Sequence, residues 1–532
     1  MRRNLRRIAV PQQASSVSRP YTFVAPVRGW ITNENLANSA RGGALRLDNW
    51  FPTQTGIRLR GGLELHATIG AVPVEAMFTY VSGSTRKVFA ANETDVFNVT
   101  TPSSPSTPPS ADISSQTSGY YSAAQFETAG GDFLYIVNGA DEAQIYDGSS
   151  WTAVNSGSTP AISGVTTSLF SHVWVYRNRL YFTEIDSTTA WYLPVDAVGG
   201  EAADVSMAGV FQKGGSLLLG GTWSLDSGSG LDDKCVFVST EGEVAIFQGS
   251  YPGGDDWSLV GRYDITPPLG KNATMHAGGD FLIATKDGIV PISQAIQKDV
   301  AALSLAAISR NIESEWKSEV GFRSSLPWEI LKWPSYNMAI VSLPVVDVTT
   351  PARCFVVNLQ TGAWARYTGW DTRSMTVHDD QAMFGSSDGK IYKAEVGGSD
   401  NGASYTCTYV GLFDHISSVG ATKVTKLARA TFLSGRPFTP QISASVNYAV
   451  TLPSAPGAYV DSGSSNKWDI GKWDEATWSG IGERSAALKW VGMSAVGFTF
   501  APQVQVTLNQ TGLPDAELAS FDIMHENAGV VI

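Results

Sequence analysis

Between residues 76 and 398 the apolar positions fall in short runs of four to eight, and glycine-containing turns separate them. The same unit recurs: an apolar strand, a tight turn and a second apolar strand. It reads KVFAANETDVFNVT from Lys87, DFLYIVNGADEAQIYDG from Asp132, NRLYFTEIDSTTAWYLP from Asn178 and KCVFVSTEGEVAIFQG from Lys234. It returns as DFLIATKDGIVPIS from Asp280, in a longer form from Met338, and as QAMFGSSDGKIYKAE from Gln381. Three copies share a turn, Ser239-Thr-Glu-Gly242, Thr285-Lys-Asp-Gly288 and Ser386-Ser-Asp-Gly389. Glycine suits a tight hairpin because it accepts positive φ without a Cβ clash. Successive units start 43 to 58 residues apart, the period of one four-stranded propeller blade. A run of unrelated hairpins in a sandwich has no reason to keep such a period.

The pattern therefore predicts an all-β chain in three parts. Residues 76–398 form a β-propeller of six or seven blades. Residues 1–75 and 399–532 supply an N-terminal segment and a C-terminal domain that together make a β-sandwich-like platform. Strands are expected at Ser404–Gly411, Thr425–Leu433, Gln441–Ala449, Gly497–Phe500 and Gln503–Leu508. One segment breaks the β pattern. From Ser293 to about Lys317, Ile296, Val300, Leu303, Ala307, Ile308, Ile312 and Trp316 recur at helical spacing. This predicts one amphipathic helix inserted between blades.

Composition supports that outline. The 532 residues exceed one ordinary domain, and 43% are hydrophobic, enough for real cores. Glycine is abundant, with 53 residues, as turn-rich β folds require. Cys235, Cys354 and Cys407 are isolated, so neither a disulfide framework nor a zinc site is suggested, and a reducing folding compartment fits. The basic start MRRNLRRIAV lacks the apolar run of a signal peptide.

Charge is uneven. Residues 1–70 carry a net charge of +7, residues 71–399 carry −16, and the whole chain carries −12. An acidic middle argues against tight nucleic-acid binding there, because phosphate binding needs Lys and Arg. No GxSxG, Walker, HExxH or GxGxxG pattern occurs, and none of the six histidines stands at ligand spacing from another. His378-Asp379-Asp380 reads as a solvated turn rather than a metal site. The expectation is a non-enzymatic chain with no catalytic residues, no cofactor and no metal. A propeller glycosidase, which would need carboxylates converging on the central face, is the enzymatic alternative, since the chain has many carboxylates.

Near the C-terminal end, KWDIGKWDEATWSG spaces Trp468, Trp473 and Trp478 by five. That period fits neither helix nor strand. It predicts an irregular loop with aromatic anchors, either packed on its own domain or at an interface.

Several stretches resemble a family of tail tubular or nozzle proteins from short-tailed bacteriophages. They are ALRLDNWFPTQTGIRLRGGLELHAT (Ala44–Thr68), DGIVPIS with the segment after it, FVVNLQTGAWARYTGWD (Phe355–Asp371) and MFGSSDGKIYKAEVGGSDNG (Met383–Gly402). The tryptophan repeat and the ending FDIMHENAGVV also resemble it. The resemblance implies a homohexameric ring below the portal and adaptor of the virion tail, assembled in the host bacterial cytoplasm. DNA would pass through this ring on ejection without specific binding. Implied partners are the adaptor or head–tail connector protein, tail fibres, and transiently the host cell envelope. Trp468, Trp473, Trp478, Trp50 and Phe51 are the candidates for oligomer or platform contacts. Glu241, Glu243, Asp287 and Asp388, in or beside hairpin turns, are the candidates for carboxylates lining the passage. A host-glycan-binding tail protein is the alternative from another functional class.

Overall fold

The structure is a computed structural model, and it describes residues 18–34, 41–226, 231–416, 418–459, 484–487 and 489–530. Its dominant unit is a β-propeller with six blades that are sheets of their own. Blade 1 comprises Ala76–Ser82, Thr85–Ala91, Val96–Asn98 and Ala111–Ile113. Blade 2 comprises Ser122–Thr128, Gly131–Val137, Gln144–Tyr146 and Trp151–Ala153. Blade 3 uses Phe170–Tyr176, Arg179–Glu184, Thr189–Tyr192 and Ala203–Ser206. Blade 4 uses Leu217–Asp226, Leu231–Ser239, Glu243–Gln248 and Ser258–Asp264. Blade 5 has three strands, Thr274–Ala277, Asp280–Thr285 and Gly288–Pro291. Blade 6 uses Ser374–His378, Gln381–Gly385 and Lys390–Ala394, and its fourth strand is Leu63–Thr68 from the start of the chain.

Between blades 5 and 6 stands a four-stranded meander: Ile330–Trp333, Met338–Leu343, Arg353–Asn358 and Trp364–Thr368. Its last strand continues into the platform through Ala44–Asp48, Tyr405–Gly411, Phe500–Leu508 and Pro440–Val446, making one eight-stranded sheet. A second platform sheet has seven strands, centred on the long pair Ala421–Ser434 and Ala516–Val530. Trp50–Pro52, Ile57–Leu59, Arg19–Val24, Ser485–Ala487 and Val491–Gly497 complete it.

All seven hairpins read from the sequence are the second and third strands of these units, six in blades and the one from Met338 in the meander. A single blade cannot bury its own faces, so each closes a core against the next. Phe78, Phe89, Leu134 and Tyr146 join blades 1 and 2. Phe126, Tyr135, Phe170 and Phe182 join blades 2 and 3. Trp174, Tyr181, Phe237 and Phe247 join blades 3 and 4, and Leu219, Val236, Phe281 and Ile283 join blades 4 and 5. Met77, Val88, Met383 and Ile391 join blade 6 to blade 1. The meander fills the remaining place in the ring, sharing the largest core with Met275 and Leu282 of blade 5 and Met375 and Phe384 of blade 6.

The shared turn works through its first residue. Ser239 Oγ accepts from Glu243 N at 2.9 Å, Thr285 Oγ1 donates to Gly288 O at 2.8 Å, and Ser386 Oγ donates to Lys390 O at 2.9 Å. Gly242 has φ +80°, and a Cβ there would lie 2.3 Å from Ile265 O. Gly242→Ala therefore combines left-handed strain with a backbone clash. It is expected to destabilise by ~1–2 kcal/mol or more, read as a lowered urea midpoint.

Two expectations need correction. Residues 1–75 are not all platform, because Leu63–Thr68 pairs with Lys390–Ala394 and closes the propeller. Leu63–Thr68 covers the outer edge of blade 6, so the ring is held closed by pairing between distant parts of the chain. The segment from Ser293 is not one helix either. It divides into Ile292–Ala295, Val300–Leu303, a 3-10 turn at Arg310–Ile312 and the helix Glu313–Arg323. Asp299 caps the second piece by accepting from Ala301 N at 3.0 Å. Beyond it, Ile308 N donates to Ile289 O at 3.0 Å and Ile289 N donates to Ser309 Oγ at 3.0 Å. This stretch thus occupies the edge of blade 5 where a fourth strand would lie, and that pairing interrupts the helix.

Candidate functional site

Polar chemistry concentrates in two places, the end of the propeller axis and the joint between propeller and platform. The first strand of each unit is the one that meets its neighbours around the ring, and just before or at the start of these strands stand Glu75, Tyr120, Tyr121, Ser122, Ser171, His172, Lys271, Asn272, Glu329 and Arg373. Lys271, ahead of blade 5, reaches across to blades 2 and 3. Its Nζ donates to Tyr120 O at 2.8 Å and to Ser171 O at 2.7 Å, and it lies 4.4 Å from the centre of the Tyr120 ring. Asn272 Nδ2 donates to Tyr121 O at 3.0 Å. Glu329, ahead of the meander, accepts from Met375 N of blade 6 at 2.6 Å. Arg373 pairs with Glu75 at 2.6 Å, tying blade 6 to blade 1.

Burial sets the charge states here. Lys271 is only 4% exposed, and desolvation lowers its ammonium to about 7. Desolvation also raises Glu329 to about 8, against weaker opposing pulls from Met375 N, Arg373 and Asn272. His172 is held down at about 3 by burial and by Lys271. His172 Nε2 lies 3.1 Å from Gly220 O, a carbonyl that only accepts, so Nε2 carries the proton. Nδ1 then accepts from Ser122 Oγ at 2.8 Å. This Ser–His contact is buried between blades 2 and 3, with Ser122 3% and His172 9% exposed. The pair is a strut between blades.

The joint is built around Arg60, which is fully buried. Its guanidinium meets Asp400 through two bonds of 2.7 and 2.8 Å, donates to Asn49 Oδ1 at 2.8 Å, and lies 3.8 Å from the centre of the Tyr405 ring. Beside it, Arg58 pairs with buried Glu395 at 2.9 Å, and Glu395 also accepts from Gly61 N and Tyr367 Oη, each at 2.8 Å. Asp48 pairs with Arg366 at 2.9 Å. Burial and the neighbouring Glu395 push the Tyr367 hydroxyl well up.

The residues singled out from sequence are scattered. Trp50 and Phe51 are buried in the chain's own largest core, so they serve platform packing and are not available to another copy. Trp468, Trp473 and Trp478 lie outside the described residues. Glu243 is corrected: it is fully buried, accepts from Gln212 N and Lys213 N at 2.8 to 3.0 Å and pairs with Arg262, so it cannot line a passage. Those donors keep its carboxyl low despite burial. Asp388 is exposed but pairs with Lys390, and half-exposed Asp287 lies 3.8 Å from Lys317. Glu241 is exposed, and among the described residues it has no ion-pair partner. His378-Asp379-Asp380 is a turn, with both aspartates at positive φ. Among the described residues no group of three or more His, Cys, Asp or Glu is arranged to hold a metal.

The axial network went unread in the sequence because its members come from six separate positions along the chain. The one available signal was a polar residue immediately ahead of an apolar strand in several units. The joint was partly visible, since Arg58-Leu-Arg60-Gly-Gly62 and Gly398-Ser-Asp400 both fall in the resembling blocks.

No family profile matches this sequence, and no curated protein does. Among solved structures the chain is similar to a computationally designed protein, Ika8, at 10% identity over 63% of this chain and 100% of that one, with a TM-score of 0.35. It is similar to YCF48 from Cyanidioschyzon merolae at 9% identity over 63% and 98% of the two chains, with a TM-score of 0.37. BBS1N, solved in complex with ARL6DN, gives 9% identity over 63% and 98%, with a TM-score of 0.37.

Proposed function

We propose that this chain is a structural subunit of a bacteriophage tail, forming with copies of itself the nozzle ring through which DNA leaves the virion. The observation that carries the reading is where the resembling blocks meet. Ala44–Thr68, Phe355–Asp371 and Met383–Gly402 are far apart in sequence. They converge on one joint, through Asp48–Arg366, Asn49–Thr368, Arg58–Glu395 and Arg60–Asp400. A motif order that corresponds to one packed unit is better support than three separate likenesses.

In this reading the passage lies between copies. Within one chain Lys271 reaches from blade 5 to the backbones before blade 2 and in blade 3, so this reading does not route DNA along the propeller axis. Of the carboxylates proposed to face the passage, Glu241 carries the reading furthest, because Asp287 and Asp388 are partly neutralised by lysines. Acidic walls would repel a phosphate backbone over about 8 to 10 Å at physiological salt. Adaptor and fibre contacts would fall on the outer surfaces.

Electron microscopy of the protein, alone and in tails purified from phage encoding it, is expected to show a six-fold ring. A ring of other symmetry in the native particle, or absence of the chain from purified tails by mass spectrometry, overturns the proposal.

A further inference from the structure

We propose that a cleft at the open end of the platform is the docking site for the chain's own residues 460–483, with Trp473 as the anchor. The two platform sheets meet at one end, where Phe498 N donates to Asn447 Oδ1 at 2.8 Å and Asn447 N donates to Thr499 O at 3.2 Å. They part at the other, between the starts of Pro440–Val446 and Val491–Gly497, around a cleft of about 810 Å³. Clefts of this size hold drug-sized ligands, so an indole fits. The walls are apolar. Buried Phe432 meets Phe438 edge-on, with ring centres 4.8 Å apart, and Ile442 and Trp490 face the same space. Trp490 is 37% exposed, with the Arg429 guanidinium 4.7 Å from its ring centre. Among the described residues this surface stays open, and open apolar surface rimmed by polar groups marks a binding surface.

Position and charge select the occupant. The described chain stops at Tyr459, bonded to Thr507 and Asn509, and resumes at Arg484. Ser485 pairs with Ser434, and both line the cleft. Twelve residues separate Trp473 from Ser485, and an extended chain of that length spans up to ~40 Å. Residues 460–483 carry Trp468, Trp473 and Trp478, and five carboxylates against two lysines. The cleft carries Arg436 and Lys489, neither of which has an ion-pair partner among the described residues. Asp474 and Glu475 directly follow Trp473, so an indole seated beside Phe438 and Trp490 brings two carboxylates to two cations. A neighbouring copy carries the same segment, but tethering gives the chain's own a millimolar effective concentration at the cleft. Docking of this kind holds whether or not the chain builds a nozzle ring.

Carbodiimide coupling of the full chain, prepared as a mixture of isotopically heavy and light protein, tests this. The reagent joins a lysine amine to a carboxylate as an amide, with loss of water, where the two are in contact. Mass spectrometry is expected to find Lys489 joined to Asp474 or Glu475 in peptides that are wholly heavy or wholly light. Mixed peptides would mean that a second copy fills the cleft. Absence of the Lys489 link would mean that this segment does not fill it. Either result overturns the proposal.

Hydrogen exchange reads the anchor separately. Trp473→Ala should speed exchange at residues 438–442 and 490–492 by about tenfold or more, the scale for truncating an aromatic anchor. The platform strand Tyr405–Gly411 should be unchanged, and Trp473→Phe should recover most of the protection. Exchange at the cleft that stays as in the unmodified protein, or rises equally in Tyr405–Gly411, overturns the proposal as well.

Discussion

Arg60→Ala is expected to lower stability by about 3–5 kcal/mol, the scale for removing one partner of a buried ion pair. The substitution strands more than a charge. Asp400, 14% exposed at its side chain, loses both of its bonds to the guanidinium. Asn49 Oδ1 and the carbonyls of Gly61 and Thr368 lose a donor, and Tyr405 loses the cation stacked on its ring. Chemical denaturation followed by fluorescence should show the loss. Arg60→Lys should recover only part of it, because an ammonium cannot reproduce the planar fork that meets Asp400. The discriminating measurement is the double variant Arg60→Met with Asp400→Asn. If the joint is a coupled pair, the double variant costs less than the two single costs added together. Simple additivity would mean that Arg60 acts only as packing.

Trp364→Ala should cost a similar ~3–5 kcal/mol, by loss of buried aromatic area and formation of a cavity. Trp364 is fully buried in the last strand of the meander, where propeller and platform share one sheet. Its indole donates to Ile308 O at 3.0 Å, holding the segment that covers the edge of blade 5. Its backbone is gripped as well. Trp30 N donates to Trp364 O at 2.7 Å, and Gly29, at φ +72°, lies so near that a Cβ there would be 2.5 Å from the same oxygen. Trp364→Phe keeps most of the apolar contact and leaves Ile308 O without its donor, so a smaller loss is expected. Calorimetry gives the comparison. A cost below ~1 kcal/mol for Trp364→Ala would mean that the meander is not the element that makes propeller and platform interdependent.

What could be read along the chain was what depends on near neighbours. The alternation of apolar and polar residues set the strands, and glycine at Gly242, Gly288 and Gly389 set the hairpin turns, because positive φ and strand pairing across a short turn are local properties. The count of units followed from the same signals, and all seven hairpins are present. Tertiary structure alone decided how the units close. Leu63–Thr68 joins Lys390–Ala394 more than 300 residues later, and no local pattern says which edge a strand will cover. The helical spacing after Ser293 was real, with Leu303, Ala307, Ile312 and Trp316 all buried. Pairing of Ile308 with Ile289 nevertheless overrode it, since an open blade edge leaves its own N–H and C=O groups unpaired, and a helix, whose backbone bonds are internal, cannot supply their partners. Charge was the least legible of all. A carboxylate beside a turn is ordinarily solvated, yet Glu243 is enclosed by donors, and Lys271 and Glu329 meet their partners only when the ring closes. Their chemistry is set by desolvation, and burial at an axis arises only when blades distant in sequence come together.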